Sequence, residues 1–531
     1  MASQLRVAAL LAVVPVAFEV LLTYFPFALS LASFDGIHIV DLLREIVASK
    51  VGEHGLYQSV LQGSLSAAAA FAIGYPVGLS LGLYRFTGKT VYRTLTLLPF
   101  MLPSIVVVVG FQNAYPARSV LGFLSNGLSG IVAVNTFYNA PLIAMLTAAS
   151  ISNLKSETLW ALETIRPPGL RTLTRVLAPA SLRAAGTGAV IAFIYSYLAF
   201  LVPLAVGGPR YYTSEVEVYV LLKTLSEPSL AVSLALAQSF IPAILAIAIL
   251  SMGSASFAPG FSDNAVKSLS KLSAAPKIAV SLILILFLAF EAAPLAAIVY
   301  SSGALSTAQT GFKELLEASA RGQLQVGLGR IATNSLVYSV LATSITVALS
   351  LVLAHHGLSG AGGKLVYQYA AFFPLAISPV TIGLSLYLAY GSQPIFKEIW
   401  PMIVLAQSAV SIPLASRFMI EGVSRVGKEL VWAAKLSGAG LGDTLFRVEI
   451  PSAASSLAAA AAVAFEVSLG EFAATTTVYT PSYTTLPLAV YTMFDLRLQH
   501  AASALSLILL VIAAIANYTV IRGAGLLGGK S

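Results

Sequence analysis

The chain has 531 residues, of which 57% are hydrophobic and only 10% are charged, and its mean hydropathy is +0.86. Because soluble globular proteins carry about 25% charged residues, this composition excludes a water-soluble enzyme and a disordered scaffold. The net charge of +8 is typical of membrane proteins with Lys and Arg on cytoplasmic loops, and we prefer this interpretation to nucleic-acid binding. The absence of cysteine excludes disulfides, thiolate metal sites and thiol catalysis.

Apolar windows long enough to cross a membrane recur along the whole chain. Six of them lie near residues 7–29, 60–83, 94–111, 131–151, 188–206 and 231–252. Six more lie near residues 278–300, 336–354, 366–390, 402–420, 458–475 and 502–521. Because only self-satisfied backbone is stable in lipid, we predict an all-α integral membrane protein with about twelve transmembrane helices. The first window contains Glu19 and is too long for a signal peptide core, so we interpret it as a span.

The distribution of basic residues predicts the orientation of these spans. If the N-terminus is cytoplasmic, 20 of the 30 Lys and Arg residues fall in the inside loops or at the inside termini. Cytoplasmic loops carry the excess of Lys and Arg in membrane proteins. We therefore expect a multi-pass protein of the cell membrane with both termini in the cytoplasm.

An internal repeat with an offset of 272 residues relates the two sets of six spans. The matching segments are Ala17-Phe18-Glu19 with Ala289-Phe290-Glu291, Ala192-Phe193 with Ala464-Phe465, Ser196 with Ser468, Phe200 with Phe472, Pro179 with Pro451, and Tyr219 with Tyr491. Six spans per copy give both copies the same orientation in the membrane. The sequence thus predicts two tandem halves, residues 1–253 and 277–531, joined by a polar cytoplasmic linker at residues 254–276.

Two local motifs favour packing over chemistry. The segment Gly78-Leu79-Ser80-Leu81-Gly82 fits the G-x-S-x-G pattern of hydrolases, but it lies inside an apolar span with no strand before it. Adjacent helical residues point about 100° apart, so we interpret His355-His356 as a polar cap at the membrane interface and not as a metal pair. We expect neither enzymatic activity, nor a metal site, nor a cofactor bound by this chain.

The loop between the tenth and eleventh spans has the pattern of two short helices joined by a glycine. Good helix formers run from Glu429 to Gly438, which can adopt the left-handed conformation that ends a helix. Asp443 can cap a second helix, which we expect to stop before Pro451. Such an elbow at the membrane surface is a rigid knob that a soluble partner can bind, although any long loop can also fold as surface helices.

This loop closely resembles the EAA loop of ABC importer permeases. The resemblance rests on Ala433, Ala434 and Gly438, with Pro451 thirteen residues after that glycine. In the family, this loop forms the coupling helix that docks into a groove of the ATP-binding subunit. The chain departs from the pattern at Trp432, where the family has Glu, so one polar contact of the family is missing here.

The first half contains a shortened version of the same loop. Glu163 and Gly169 keep the family spacing, but Pro179 follows Gly169 by ten residues instead of thirteen. The adjacent Pro167 and Pro168 also end the preceding helix early. We therefore expect the second elbow to couple more strongly than the first.

The resemblance extends over nearly the whole chain. Leu98-Pro99 with Pro103, Ser468-Leu-Gly-Glu471-Phe472, and Leu486-Pro487 with Tyr491 look like fused-half permeases of the iron(III) and thiamine type. This implies a MetI-like fold, two ATP-binding subunits inside and a substrate-binding protein outside. Related permeases for sulfate, molybdate or tungstate, and polyamines share the fold. The alternative from another class is an ion-coupled secondary transporter, against which the spacing of the elbow speaks.

Four acidic residues lie within the predicted spans, namely Glu19, Glu291, Glu466 and Glu471. A charge at the membrane centre costs about 2.5 to 3.5 kcal/mol on insertion scales, so each should face protein or water. We predict that Glu471 lies near the substrate pathway, together with the repeat-matched Ser196 and Ser468, and that Glu466 makes a structural hydrogen bond.

Overall fold

The computed structural model describes residues 49–152, 178–251, 267–305, 309–359, 377–424 and 428–527, with the isolated residues Leu21, Ala28, Arg44, Ile46, Leu154 and Val426. The described part is all-α, as predicted, apart from one parallel two-residue ladder between β1 (Tyr84–Arg85) and β2 (Lys267–Ser268). Up to residue 251 the helices are α1 (Lys50–Leu83), α2 (Lys89–Met101), α3 (Ser104–Ala114), α4 (Gly127–Ser152), α5 (Ala178–Tyr197), α6 (Ser214–Lys223) and α7 (Pro228–Ser251).

Eleven helices follow in the remainder of the described chain. These are α8 (Ala274–Ser301), α9 (Thr310–Ala320), α10 (Leu328–Ser359), α11 (Pro379–Tyr390), α12 (Trp400–Ser424), α13 (Lys428–Leu436), α14 (Leu441–Thr444), α15 (Ala454–Gly470), α16 (Ala473–Val478), α17 (Leu486–Asp495) and α18 (Gln499–Leu527).

Seven helices in the described ranges are long and apolar enough to cross a membrane, and they coincide with seven of the predicted windows. They are α1, α4, α7, α8, α10, α12 and α18. An eighth candidate is bent by 83° between Gly442–Ser452 and Ala454–Gly470. The first window and part of the ninth lie outside the described residues, so the total of twelve stays a prediction.

Two predicted spans are broken helices. The third window splits into α2 and α3 because Leu102 and Pro103 are extended, with ψ of 137° and 135°. A residue before proline is excluded from helical geometry, which accounts for this break. The eleventh window breaks at Glu471, which is extended with ψ of 125°, and the chain then continues as α16. Non-helical backbone in a membrane protein is tolerated where it is buried in protein or lines a cavity.

The described elements recur at the offset found in the sequence. The short turn Pro209–Tyr211 and helix α6 correspond to the turn Pro481–Tyr483 and helix α17, each shifted by 272 residues. The hydroxyl of Ser59 in α1 accepts from the amide of Ser214 at 2.9 Å, and the hydroxyl of Ser335 in α10 accepts from the amide of Leu486 at 2.6 Å. The same buried hydrogen bond therefore anchors the start of α6 and the start of α17.

The chain contains two compact units whose boundaries differ from those of the predicted halves. Unit A comprises Glu53–Val216 and Ile247–Ala308, and unit B comprises Met1–Gly52, Glu217–Ala246 and Gln309–Ser531. Helix α8, which begins the predicted second half, thus belongs to unit A with the first-half helices. The division into halves describes the repeat in the sequence, and it stays a prediction for the folding units.

Helix α8 is held in unit A by specific contacts. The hydroxyl of Tyr92 donates to the carbonyl of Leu284 at 2.8 Å. The ring of Phe290 lies 6.0 Å from that of Phe111 and 6.1 Å from that of Phe137. Phe290 and the buried Glu291 belong to the repeated Ala-Phe-Glu segment, whose first copy lies outside the described residues. The segment thus places an aromatic anchor on α8 inside unit A.

Candidate coupling elbow and intramembrane polar residues

Helix α13 presents one face to the protein core and another to solvent. Val431 packs against a buried cluster that includes Val426, Ala453 and Ala354. On the outer face, Trp432 is 67% exposed and Leu436 is 85% exposed. Exposed large apolar side chains on a short surface helix mark an interaction site more often than isolated ones do.

Gly438 ends α13 in the conformation that the sequence predicts. Its φ is +81°, which lies in the left-handed region. The amide of Ala439 donates to the carbonyl of Ala434 at 3.0 Å, and the amide of Ser437 donates to the carbonyl of Ala433 at 3.0 Å. This is a Schellman motif, which strongly favours glycine because a Cβ is disfavoured at positive φ. The two alanines of the family pattern thus supply the carbonyls that close the elbow.

The second arm of the elbow differs from the prediction. Helix α14 begins at Leu441, so Asp443 is its third residue and does not cap it; Asp443 instead forms an exposed ion pair with Arg447 at 3.2 Å. The arm continues through a π turn at Leu445–Glu449 and a last helical turn at Ile450–Ser452, so it does not stop before Pro451. The wider π turn replaces the hydrogen-bonding pattern that a proline would interrupt in an α-helix.

A buried ion pair joins the end of this arm to helix α10. Nδ1 of His355 lies 2.9 Å and 2.8 Å from the two carboxylate oxygens of Glu449, and the two side chains are only 7% and 4% exposed. The prediction of an interfacial polar cap at His355 is therefore wrong, because its ring is buried against a carboxylate. The partners are 94 residues apart in sequence, and neither belongs to a recognisable motif.

The first-half elbow lies mostly outside the described residues. Glu163 and Gly169 are among the residues not described, and their coupling role stays a prediction. Pro179 is the second residue of α5 and is exposed. Proline is well suited to the first turn of a helix, where the missing N–H has no intrahelical acceptor. Pro451, its repeat partner, occupies the corresponding position in the last turn before the bend into α15.

Glu471 stands at the break between α15 and α16 and caps the second of these helices. Its carboxylate accepts from the amides of Ala474 at 2.7 Å and Thr475 at 2.8 Å, and from the hydroxyl of Thr475. The amide of Glu471 donates to the carbonyl of Ser468 at 3.3 Å. A carboxylate at a helix N-terminus is stabilised by the free amides and the helix dipole. Glu466 is buried one turn earlier in α15.

Ser196 belongs to a buried polar network in unit A. Its hydroxyl accepts from Nδ2 of Asn139 at 3.2 Å, and its carbonyl accepts from Nε2 of Gln62. Asn135 donates to Oε1 of Gln62 at 2.8 Å, so the four side chains form one chain of hydrogen bonds. Sequence reasoning missed the amide members of this network, although Asn and Gln inside apolar windows are a usable signal.

Ser468 is the counterpart of Ser196 in unit B, and it is also buried. The structure thus places Ser196 in unit A and Ser468 and Glu471 in unit B, and their role on a substrate pathway stays a prediction. Among the described residues, no group of three or more His, Cys, Asp or Glu side chains is arranged to hold a metal ion.

Comparison with known proteins assigns residues 347–523 to the family of binding-protein-dependent transport system inner membrane components. This segment runs from within α10, through the elbow, into α18. The chain is 24% identical over 479 residues to the thiamine transport system permease protein ThiP of Haemophilus influenzae, with 86% of each chain covered. It is 23% identical to ThiP of Brucella abortus strain 2308, covering 70% of this chain and 68% of the relative.

A shorter relative matches about half of the chain. The putative 2-aminoethylphosphonate transport system permease protein PhnV of Salmonella typhimurium is 28% identical over 255 residues. The alignment covers 94% of that protein but only 46% of this chain. A whole permease of this kind thus has the length of one predicted half.

Proposed function

Because the chain is a homologue of ABC importer permeases and carries their membrane domain at residues 347–523, we propose that it moves thiamine or a thiamine-like solute inward. The relatives aligned over most of its length are thiamine permeases, which favours thiamine over iron(III), the other type suggested by the sequence resemblance. The solute would be delivered by an external binding protein, and ATP would be hydrolysed by two partner subunits on the cytoplasmic side. The chain itself would bind no cofactor and catalyse no reaction.

The observation that carries this proposal is the elbow at Gly438. It lies inside the family segment, it is closed by a Schellman motif, and it exposes Trp432, Leu436 and Phe446, of which Phe446 is 71% exposed. A rigid, apolar projection suits insertion into a groove of the ATP-binding subunit, because little side-chain or backbone freedom is lost on docking. We propose that Trp432 supplies apolar contact area where the family pattern supplies a carboxylate.

We further propose that the solute path is shaped by residues near the helix breaks. Ser196, Ser468 and Glu471 all lie at or within a few residues of the points where α5 and α15 end. Since Glu471 is engaged as a helix cap, its contribution would be to hold the break open and not to bind the solute directly. Helix breaks near the midplane are where transporters commonly bind their substrates.

Uptake by proteoliposomes tests the substrate assignment. The chain would be reconstituted with the ATPase and binding protein encoded beside it, and radiolabelled thiamine uptake would be measured with unlabelled competitors. We expect competition by thiamine and none by iron(III), sulfate or 2-aminoethylphosphonate. Competition by one of those three, with no effect of thiamine, would replace the proposed substrate and leave the permease function intact.

The proposed orientation can be tested because the native chain has no cysteine. Single cysteines would be introduced at exposed Leu436 in the elbow and at exposed Leu305 after α8. An impermeant maleimide applied to intact cells should label the cysteine at position 305 and should not label the one at position 436. The reverse pattern would contradict the placement of the elbow and both termini in the cytoplasm.

A further inference from the structure

The buried pair of His355 and Glu449 connects two parts of unit B with different tasks. Glu449 is the last residue of the π turn, and its carbonyl accepts from the amide of Ala453 at 2.8 Å, where the chain bends into α15. His355 lies in α10 four residues before its end at Ser359. The pair thus joins the outgoing arm of the elbow to a long membrane helix.

Apolar packing surrounds this pair on both sides. Ala354, the neighbour of His355, belongs to the same buried cluster as Val426 and Ala453, and Val431 of α13 packs against it. The end of α12 and the start of α15 meet closely near this cluster, because a Cβ on Gly422 would lie 2.2 Å from the Cβ of Ser456. The base of the elbow is therefore closely packed, and the ion pair is its specific polar link to α10.

Stability alone does not account for a buried ion pair. Replacing both partners by apolar residues of similar volume is often neutral or stabilising, whereas removing one partner leaves an uncompensated buried charge. In the first half, the repeat-matched positions hold Leu79, at an offset of 276 set by the Ser59 and Ser335 pairing, and Leu177, at 272. The two polar side chains are thus a feature of the half whose elbow keeps the family spacing.

We propose that His355 and Glu449 are positioning residues that transmit the displacement of the second elbow to helix α10 when the ATPase subunits close. This inference rests on the proposed function as an ATP-driven permease. A bidentate contact between a ring nitrogen and a carboxylate fixes direction as well as distance, which apolar contacts between leucines do not. Loss of the pair should uncouple ATP hydrolysis from transport while leaving ATPase docking at Trp432 and Gly438 intact.

The decisive variant is the double substitution His355→Leu with Glu449→Leu, which copies the residues of the first half and leaves no buried charge unpaired. Thiamine uptake and ATP hydrolysis would be measured in proteoliposomes of the full complex, with thermal stability and ATPase association as parallel readouts. We expect stability and association close to those of the wild type, and uptake per ATP lower by about tenfold, within the range that coupling between two sites typically spans. Unchanged uptake per ATP would show that the pair only fills space.

Two conservative variants keep the test decisive if the double leucine variant does not assemble. Glu449→Gln retains an acceptor for the ring N–H, whereas Glu449→Met has similar length and no acceptor. Uptake per ATP should stay within about twofold of wild type for the glutamine variant and fall for the methionine variant, since only the hydrogen bond distinguishes them. Equal ratios in the two variants would overturn the proposal.

The wild-type complex and a distant histidine serve as controls. His500→Asn changes a histidine at the start of α18, away from the elbow, and should leave uptake per ATP unchanged. Absence of ATP-dependent uptake by the wild-type complex itself would contradict the proposed function. Normal wild-type uptake with normal uptake per ATP in the double leucine variant would contradict only the positioning role.

Discussion

The helix pair α1 and α4 in unit A and the pair α10 and α12 in unit B achieve close packing by different chemistry. In unit A, a Cβ on Gly74 would lie 2.4 Å from the carbonyl oxygen of Ala140, and one on Gly78 would lie 2.5 Å from that of Ala144. In unit B, Thr346 bonds to Ser411 at 2.7 Å, and Ser350 bonds to Ser416 at 2.9 Å. Small residues and interhelical hydrogen bonds are the two main means of joining helices in lipid.

The comparison is informative because the positions correspond. At the offset of 276 that matches Ser59 with Ser335, Gly74 corresponds to Ser350 and Gly78 to Ala354. The glycines of the apparent hydrolase motif are therefore packing residues of α1, as the sequence indicated. The same divergence affects the elbows, where one half keeps the family spacing and the other is three residues shorter. Duplicated halves thus keep the geometry of a contact while its chemistry changes.

The largest difference is expected between the two elbow glycines. Gly438→Asp places a side chain at a φ of +81°, which costs roughly 1–2 kcal/mol for a residue with a Cβ and adds a charge to the docking surface. ATPase association, measured by co-purification at matched protein levels, should fall about tenfold, since each 1.4 kcal/mol is a factor of ten. Gly169→Asp should have a smaller effect, and equal losses from both substitutions would show that the first elbow couples fully.

The next largest difference is expected at the helix breaks. Glu471 in unit B corresponds to Ala199 in unit A, where the amide of Ala199 donates to the carbonyl of Ser196 at 3.2 Å in the same turn. Glu471→Ala leaves the amides of Ala474 and Thr475 buried without acceptors and should cost about 1–3 kcal/mol in each case. The thermal unfolding midpoint should fall clearly, whereas Glu466→Gln should change it little. An unchanged midpoint in Glu471→Ala would remove the capping role.

Exchanging the packing residues tests the helix pairs directly. Gly74→Ser introduces a Cβ against backbone and should destabilise unit A by about 1–3 kcal/mol through overpacking. Ser350→Gly removes one hydrogen bond and should cost less, about 1 kcal/mol, from that bond and the flexibility of glycine. Thermal unfolding in detergent measures both. A larger loss from Ser350→Gly than from Gly74→Ser would contradict the assignment of close packing to α1 and hydrogen bonding to α10.

The smallest effect is expected from a single hydrogen bond in unit B. Thr346→Val keeps the shape of the side chain and removes its bond to Ser411, and such bonds in membrane proteins contribute about 0.6 kcal/mol on average. A double-mutant cycle with Ser411→Ala measures this coupling. A coupling energy of zero would mean that apolar contacts alone hold α10 against α12.

Periodic and local features of this fold were predictable from sequence, and long-range polar contacts were not. The apolar windows, the repeat and the left-handed turn at Gly438 each follow from residue type and spacing within a short segment. The break at Glu471 was missed because the surrounding residues continue an apolar pattern, and the π turn before Pro451 has no signature of its own. The pair of His355 and Glu449 depends on how α10 and the elbow pack, which spacing along the chain does not encode.

The central claim is that this chain is a permease driven by ATP hydrolysis on partner subunits that dock at the elbow. Its most direct test is uptake by proteoliposomes that contain the chain alone or the full complex, with either ATP or an ion gradient as the energy source. We predict uptake only by the full complex with ATP inside the compartment that the elbow faces, and loss of that uptake in Gly438→Asp. Uptake by the chain alone under a proton or sodium gradient would contradict the account and identify a secondary transporter.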